Sequence, residues 1–417
     1  MQLQTTSRSC LYNGLLGIYY LAAMSRYHSY VHTAATIIDT YKADIPFASH
    51  LKKFFSHHSK HGSRDRKAIG QLCFGYYRLG RIGMDFPIDD RILLGLFLCS
   101  NEENEILSAL KKDWSEKTGC SIYEKLRLAT REDSLHLVFP WKGELSNGIE
   151  YESFCKSFFY QPDLFIRVRP GYEKIVNHKL SESGFFFKEM GDNCIALPNS
   201  SKIDAILELD KVAVVQDYSS QKTGGLLSLL KTIPVKKVWD CCAASGGKSI
   251  MAWDAISGIE LIVSDIRESI LTNLKKRFAI AGINKFRSFV IDLSRADTNK
   301  QVPLSFSELD LVICDVPCTG SGTWGRAPEH LYYFDEKKID RYADLQKKIV
   351  SNVLPYLKDD GYILYSTCSV FKKENEEVVS YLQDSFQLDI VQMNIIPGYE
   401  HKADTMFAAL MKNTGHS

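Results

Sequence analysis

The chain has 417 residues, long enough for two or three domains that each bury a core. Its residues are 45% hydrophobic and 24% charged, an ordinary globular balance, and no run reaches the roughly 18 apolar residues of a membrane span, which excludes a membrane-spanning reading. Eleven cysteines, an odd count with no CxxC pair and no zinc-like His/Cys spacing, point to neither a disulfide framework nor a metal module, and a reducing, cytoplasmic setting fits them best; the net charge is +1.

At the start, Arg8 precedes the apolar stretch from Leu11 to Ala23, whose length suits a signal-peptide core. Asn13 and Gly14 interrupt it, the cysteine usage argues against export, and Met24 offers an alternative start, so residues 1–24 are an extension of uncertain standing. Residues 1–80 carry ten Lys and Arg against three acids, a net of +7. Such a lobe suits a polyphosphate partner, because each cation near a phosphate releases counterions, although a solvated helical surface accounts for the charge equally well. Ile69, Leu72, Cys73 and Tyr76 then recur at helical spacing after the cluster Arg64-Asp65-Arg66-Lys67, and the first third reads as a helical bundle.

From about 150 to 225 the texture changes to short alternating runs such as Leu164 to Arg169, followed by Pro170-Gly171 and a helical stretch from Glu173 to Ser183. This is a small α+β region. From about 230 short apolar runs alternate with amphipathic ones: Val235 to Asp240, Glu260 to Asp265, Phe286 to Asp292, Leu309 to Asp315 and Gly361 to Thr367. The helical faces between them are Ile270, Leu274 and Phe278, then Leu345, Ile349, Val353 and Leu357. After a helix from Lys372 to Gln383, Phe386 to Met393 and Met406 to Met411 form a closing antiparallel pair. The pattern is a doubly wound, mostly parallel α/β sheet, whose ligands bind outside the carboxyl ends of the strands.

The chemistry gathers at those strand ends. The first strand runs into Cys241, Cys242, Ala243, Ala244, Ser245, Gly246, Gly247 and Lys248, small residues that let backbone turn closely around a ligand before a helix. Neither a P-loop nor a GxGxxG loop is present, since a P-loop needs glycine where Cys242 stands. Asp265 lies at the distance of a ribose-binding acid, and Asp292 is placed for an adenine amino group; a strand-end aspartate that merely caps a turn is the competing reading of each. The fourth strand ends in Asp315-Val316-Pro317-Cys318 and the fifth in Thr367-Cys368-Ser369. Neighbouring strands lie about 4.8 Å apart, so both thiols would emerge at one rim. A thiolate adding to C6 of cytosine makes C5 nucleophilic toward a sulfonium methyl group, after which the C5 proton must leave to expel the thiol. One cysteine attacks and another group helps undo the adduct; these residues alone do not say which cysteine does which.

With these motifs the sequence resembles the RsmB/Fmu/Sun family of RNA 5-methylcytosine methyltransferases. The family's CAAPGGKT loop matches CAASGGKS from Cys242, its DAPCSGTG matches DVPCTGSG from Asp315, and its YxTCS matches YSTCS from Tyr365, followed by Glu374-Asn375-Glu376. Val215-Gln216-Asp217 with Ser220-Gln221 resembles the family's entry to the catalytic domain, and the likeness covers about residues 210–412. Gly62 to Arg66 resembles the NusB-like helical domain of bacterial members.

The resemblance implies a Rossmann-like class I methyltransferase domain with a seven-stranded sheet at 226–417, preceded by a helical NusB-like RNA-binding domain at 25–145 and an α+β connecting domain at 146–225. It implies that Cys242 to Lys248, Asp265, Asp292 and Asp315 bind S-adenosylmethionine, that Asp315 also reaches the cytosine, that Cys368 is the nucleophile, and that Cys318 assists release. Ribosomal RNA, free or in an assembling particle, is the implied partner of a monomeric enzyme. Two other readings stay open: a non-catalytic RNA-binding or ribosome-assembly factor, and a DNA cytosine methyltransferase attacking through Cys318. The departures are Ser245 for the loop proline, Thr323 to Glu329 where the family often has a basic pair, and Asp404-Thr405-Met406-Phe407 for Asp-Gly-Phe-Phe.

Overall fold

The computed structural model describes residues 24–130, 134–295, 302 and 308–415. The apolar stretch from Leu11 to Ala23 lies outside the described residues. The chain divides into two compact units, the first made of the residues through Pro140 with Glu152–Tyr160 and Ala327–Phe334, the second of Trp141–Tyr151, Gln161–Arg326 and the residues from Asp335 on.

The first unit is helical, with helices over 24–40, Phe47–His57, Ser63–Arg78, Ile88–Cys99, Glu105–Leu110 and Ile122–Thr130. Ile69, Leu72, Cys73 and Tyr76, the periodic set read from the sequence, are all buried. Helix Ser63–Arg78 starts where the Asp65 carboxylate accepts the Gly62 N–H at 2.9 Å. A Cβ on Gly95 would sit 2.4 Å from the Gly75 carbonyl carbon, so the two long helices meet backbone to backbone. Arg91 is buried, yet it donates to the carbonyls of Ile82 (3.0 Å) and Gly80 (2.6 Å) and lies 4.1 Å from the Tyr76 ring centre.

The second unit holds two sheets. Strands β1 (Leu164–Val168), β2 (Lys188–Glu189), β3 (Cys194–Leu197) and β4 (Ala213–Val215) form an antiparallel sheet in the order β2-β3-β1-β4. Strands β5 (Lys237–Asp240), β6 (Glu260–Asp265), β7 (Phe286–Val290), β8 (Leu309–Asp315), β9 (Leu357–Thr367), β10 (Leu388–Ile396) and β11 (Met406–Asn413) form the other, in the order β10-β11-β9-β8-β5-β6-β7. Strands β5 to β9 pair in parallel, and β11 runs antiparallel to both of its neighbours. Because successive side chains alternate, Val238, Leu311 and Ile313 pack into one apolar layer and Trp239, Val312 and Cys314 into the other. The strand order reverses between β5 and β8, which sets the crevice there.

Several boundaries differ from the sequence expectation. β7 ends at Val290, so Asp292 lies two residues past it in a turn rather than at the strand's end. Leu357 fits the helical spacing of Ile349 and Val353 but begins β9, because Pro355 ends the helix at Val353. Phe386 closes the helix Glu376–Phe386, and the final pair starts at Leu388. Among the described residues no helix is long and apolar enough to cross a membrane.

Candidate active site

β5 delivers the chain into a tight turn before the helix Gly247–Ala255. Gly246 has a φ of 85°, and a Cβ there would lie 2.8 Å from the Phe278 ring, so glycine is required twice over. Ser245, standing where the family's loop has proline, accepts from Arg277 through both its hydroxyl (2.9 Å) and its carbonyl (2.8 Å), and Arg277 is itself paired with Asp210. The Ala244 N–H donates to Asp265 Oδ2 at 3.0 Å, tying the turn to the end of β6.

A cleft of about 640 Å³ opens at these strand ends. Cys242, Ala244, Asp265, Asp292 and Asp315 line it, with Ile266 and Leu293 supplying apolar wall. Of the other residues expected at the cofactor, Ala243 packs into the core, Ser245 faces Arg277, and Gly246 and Gly247 shape the turn. Lys248 is buried and bonds Asp315 Oδ2 at 2.7 Å, while Ser366 donates to Asp315 Oδ1 at 2.9 Å. Asp265 is opposed by burial, but the side chain and N–H of Arg267, with the Ala244 N–H, hold its carboxyl below the ordinary range. Arg267, and Lys338, Arg341 and Tyr342 on the helix Lys337–Val353, also line the cleft; no spacing rule marks them in the sequence. Asp240, at the end of β5, is fully buried with Ser249 Oγ 2.5 Å from Oδ2, and burial pushes its carboxyl up to about 7.

β8 and β9 are paired neighbours, with Asp315 opposite Ser366. Cys318 and Cys368 follow their ends, and the two Sγ atoms lie 3.2 Å apart, beside Pro317 of the cleft wall. The hydrogen bond to Cys368, followed by burial and the negative charge of Glu374, pushes the Cys318 thiol well above its ordinary value. Gly322 passes through a gap no side chain fits: its N–H donates to the Cys368 carbonyl at 2.9 Å, and a Cβ would lie 1.9 Å from the Thr405 carbonyl oxygen. Cys314, also in β8, is buried with its Sγ 3.2 Å from that of Cys241. Among the described residues no group of three or more His, Cys, Asp or Glu side chains is arranged to hold a metal ion.

The strand order, with its single reversed strand and a crevice lined by acids at the switch point, defines a Rossmann-like methyltransferase fold. Residues 227–412 match the family described as 16S rRNA methyltransferase RsmB/F. The ribosomal RNA small subunit methyltransferase B of Yersinia enterocolitica is 25% identical over 292 residues, covering 66% of this chain and 64% of that protein. The tRNA (cytosine(72)-C(5))-methyltransferase NSUN6 of Homo sapiens is 30% identical over 167 residues, covering 38% of this chain and 35% of that protein. The match thus spans less than two thirds of either relative. The crystal structure of PH0851 shares the fold, with a TM-score of 0.63 at 19% identity over 88% of this chain and 94% of that one.

Proposed function

We propose that this protein transfers the methyl group of S-adenosylmethionine to C5 of a cytosine in RNA, with Cys368 as nucleophile and Cys318 as the group that assists release. The observation that carries this reading is the pair of thiols 3.2 Å apart at the ends of two neighbouring strands, beside an acid-lined cleft.

The cleft's donors and acceptors fit the cofactor. Asp265 and Asp292 offer acceptors for ribose hydroxyls and the adenine amino group, Ile266 and Leu293 offer apolar wall for the ring, and the backbone from Cys242 to Lys248 turns around the remainder. Asp315, oriented by Lys248 and Ser366, would serve both cofactor and base. S-adenosylmethionine supplies, when bound, an electrophilic methyl group on a sulfonium.

The Cys368 thiolate adds to C6, and the displaced π electrons make C5 the atom that is methylated. Loss of the C5 proton to solvent re-forms the double bond, and the S–C6 electron pair returns to sulfur. Cys318, with its Sγ 3.2 Å from that of Cys368, is near enough to donate a hydrogen bond to the departing sulfur, and the division of labour between the two follows the family resemblance.

Structured ribosomal RNA is the substrate class we favour, in line with the name of the matched family and the printed name of the Yersinia relative. A base within a helix must be unstacked to admit attack. We assign the phosphates around it to the helical segment 25–145, read as a NusB-like domain, and to 146–225 as a connecting domain built on β1 to β4; the +7 charge of the first 80 residues supports this. Ten free cysteines among the described residues fit the reducing cytoplasm, and we read the enzyme as a monomer.

The test is transfer of labelled methyl groups to RNA and DNA by the wild type, Cys318→Ala and Cys368→Ala. Cys318→Ala is expected to accumulate a covalent protein–RNA adduct, and Cys368→Ala neither to methylate nor to crosslink. An adduct formed by Cys368→Ala would reverse the assignment, label found only in DNA would refute the substrate, and no label in any sample would refute the enzyme.

A further inference from the structure

Glu374, from the Glu374-Asn375-Glu376 signature, is fully buried, and every hydrogen bond its carboxylate accepts leads back to the cysteine loops or to the helix that steadies them. Thr319, directly after Cys318, donates its N–H to Oε2 at 2.8 Å and its hydroxyl to Oε1 at 2.5 Å. Ser369, directly after Cys368, donates its hydroxyl to Oε1 at 2.8 Å. Gln346 donates its amide to Oε2 at 3.1 Å and to the carbonyl of Pro317, directly before Cys318, at 3.0 Å. One carboxylate therefore grips both loops at the residue next to each thiol.

Asn375 adds to the grip on one side. Its amide donates to the Ser369 carbonyl at 3.0 Å, and its Oδ1 accepts the Thr367 hydroxyl at 2.5 Å, so the residues on both sides of Cys368 are held. Four donors converging on Glu374 match an ionised carboxylate, which only accepts, and their number offsets the cost of burying it. A glutamine there would turn one acceptor into an amide donor facing other donors.

We propose that Glu374 is a positioning residue that holds the thiols of Cys318 and Cys368 in register, so that attack and release take place between groups already aligned. The inference rests on the methyl-transfer reading above for its consequence, and on geometry alone for the register itself. Burial raises the Glu374 carboxyl above its ordinary value, with the bonds from Thr319, Ser369 and Gln346 opposing that rise. The grip is therefore strongest when the surrounding hydroxyls and amides are all in place.

The experiment compares wild type with Glu374→Gln in two assays. In steady-state methyl transfer to RNA, kcat is expected to fall about 10²-fold, the order of loss that an ångström of misplacement brings, with KM for RNA and for S-adenosylmethionine within about threefold. In the absence of RNA, diamide is expected to join Cys318 and Cys368 in a disulfide at least about tenfold faster in wild type than in Glu374→Gln, read as thiol loss and by peptide mass. An unchanged kcat, a parallel loss of cofactor binding, or equal disulfide rates would overturn the proposal. Should Glu374→Gln fail to fold, Thr319→Val and Ser369→Ala each remove one donor from the same carboxylate and are expected to give the same split in both assays. A wild type that moves no methyl group to RNA would refute the function, while the disulfide rates would still decide the register.

Discussion

Arg326 is shared by two carboxylates: it bonds Asp217 Oδ2 at 2.7 Å and Asp404 Oδ1 at 2.9 Å, and donates to the Asp163 carbonyl at 3.0 Å. In the sequence Arg326 looks like a remnant of a basic pair near substrate, and Asp404 like a variant of a family motif. In the fold they form an internal ion-pair network, and Asp217 of the Val-Gln-Asp motif is its third member. One guanidinium cannot neutralise two buried acids, so burial and then the charge of Asp217, against the pull of Arg326, push the Asp404 carboxyl up to about 7 from an ordinary 3.8. The native state therefore keeps a proton that the unfolded chain has released, and this group's contribution is fullest in acid and is lost as pH rises toward about 7. Asp404→Asn cannot titrate, so its thermal midpoint relative to wild type is expected to move upward between about pH 5 and about pH 7.5. A difference that stays constant with pH would mean that Asp404 is ionised throughout.

At the level of elements, a single carboxylate joins the antiparallel sheet to a helix of the parallel one. Asp254, on the helix Gly247–Ala255, bonds Arg167 at 2.7 Å and Arg169 at 2.8 Å, and all three side chains are nearly sealed from solvent. Arg169 also donates to the Ala281 carbonyl at 2.8 Å. Asp254→Ala leaves two buried guanidiniums without their counterion and is expected to cost about 3–5 kcal/mol, measured by urea unfolding. A cost near that of an exposed ion pair, under about 1 kcal/mol, would mean that water reaches both arginines.

The same elements show what a linear sequence discloses. β6 and β8 match the apolar runs read from the sequence, because a strand buried on both faces is apolar over most of its length, and each here stops at an aspartate. The cysteine pair and the acids Asp265 and Asp315 are legible for the same reason, since strand ends fix their place. Asp254, Glu374 and Gln346 are not legible as partners, because their bonds cross 85 residues to Arg169, 55 to Thr319 and 29 to Pro317, and no periodicity reports such separations. In the sequence Lys248 and Asp315 stand as separate cofactor contacts, and their direct pairing is a property of the packed strand ends.

On the scale of the whole molecule, the chain enters the helical unit three times, the last time with Ala327–Phe334, which follows the Cys318 loop in sequence. Within that unit Tyr332 packs at 5.8 Å and 5.7 Å between ring centres against Tyr76 and Tyr77, and Leu331 is buried. Glu329, also buried, accepts the Phe47 N–H at 3.1 Å and so caps a helix that lacks a side-chain cap of its own. A fragment beginning at Trp141, which keeps every residue of the second unit, would carry this segment without the helices between 24 and 130, leaving Leu331 and Tyr332 as exposed apolar surface and Glu329 without its partner. Such a fragment is expected to bind a hydrophobic dye and to aggregate at concentrations where the full chain stays dispersed, as followed by fluorescence and light scattering. Replacing Leu331 and Tyr332 in the fragment by Ser should restore dispersion if this segment is the cause. A fragment that is already monomeric and binds no dye would show that Ala327–Phe334 finds other cover once the helices between 24 and 130 are removed.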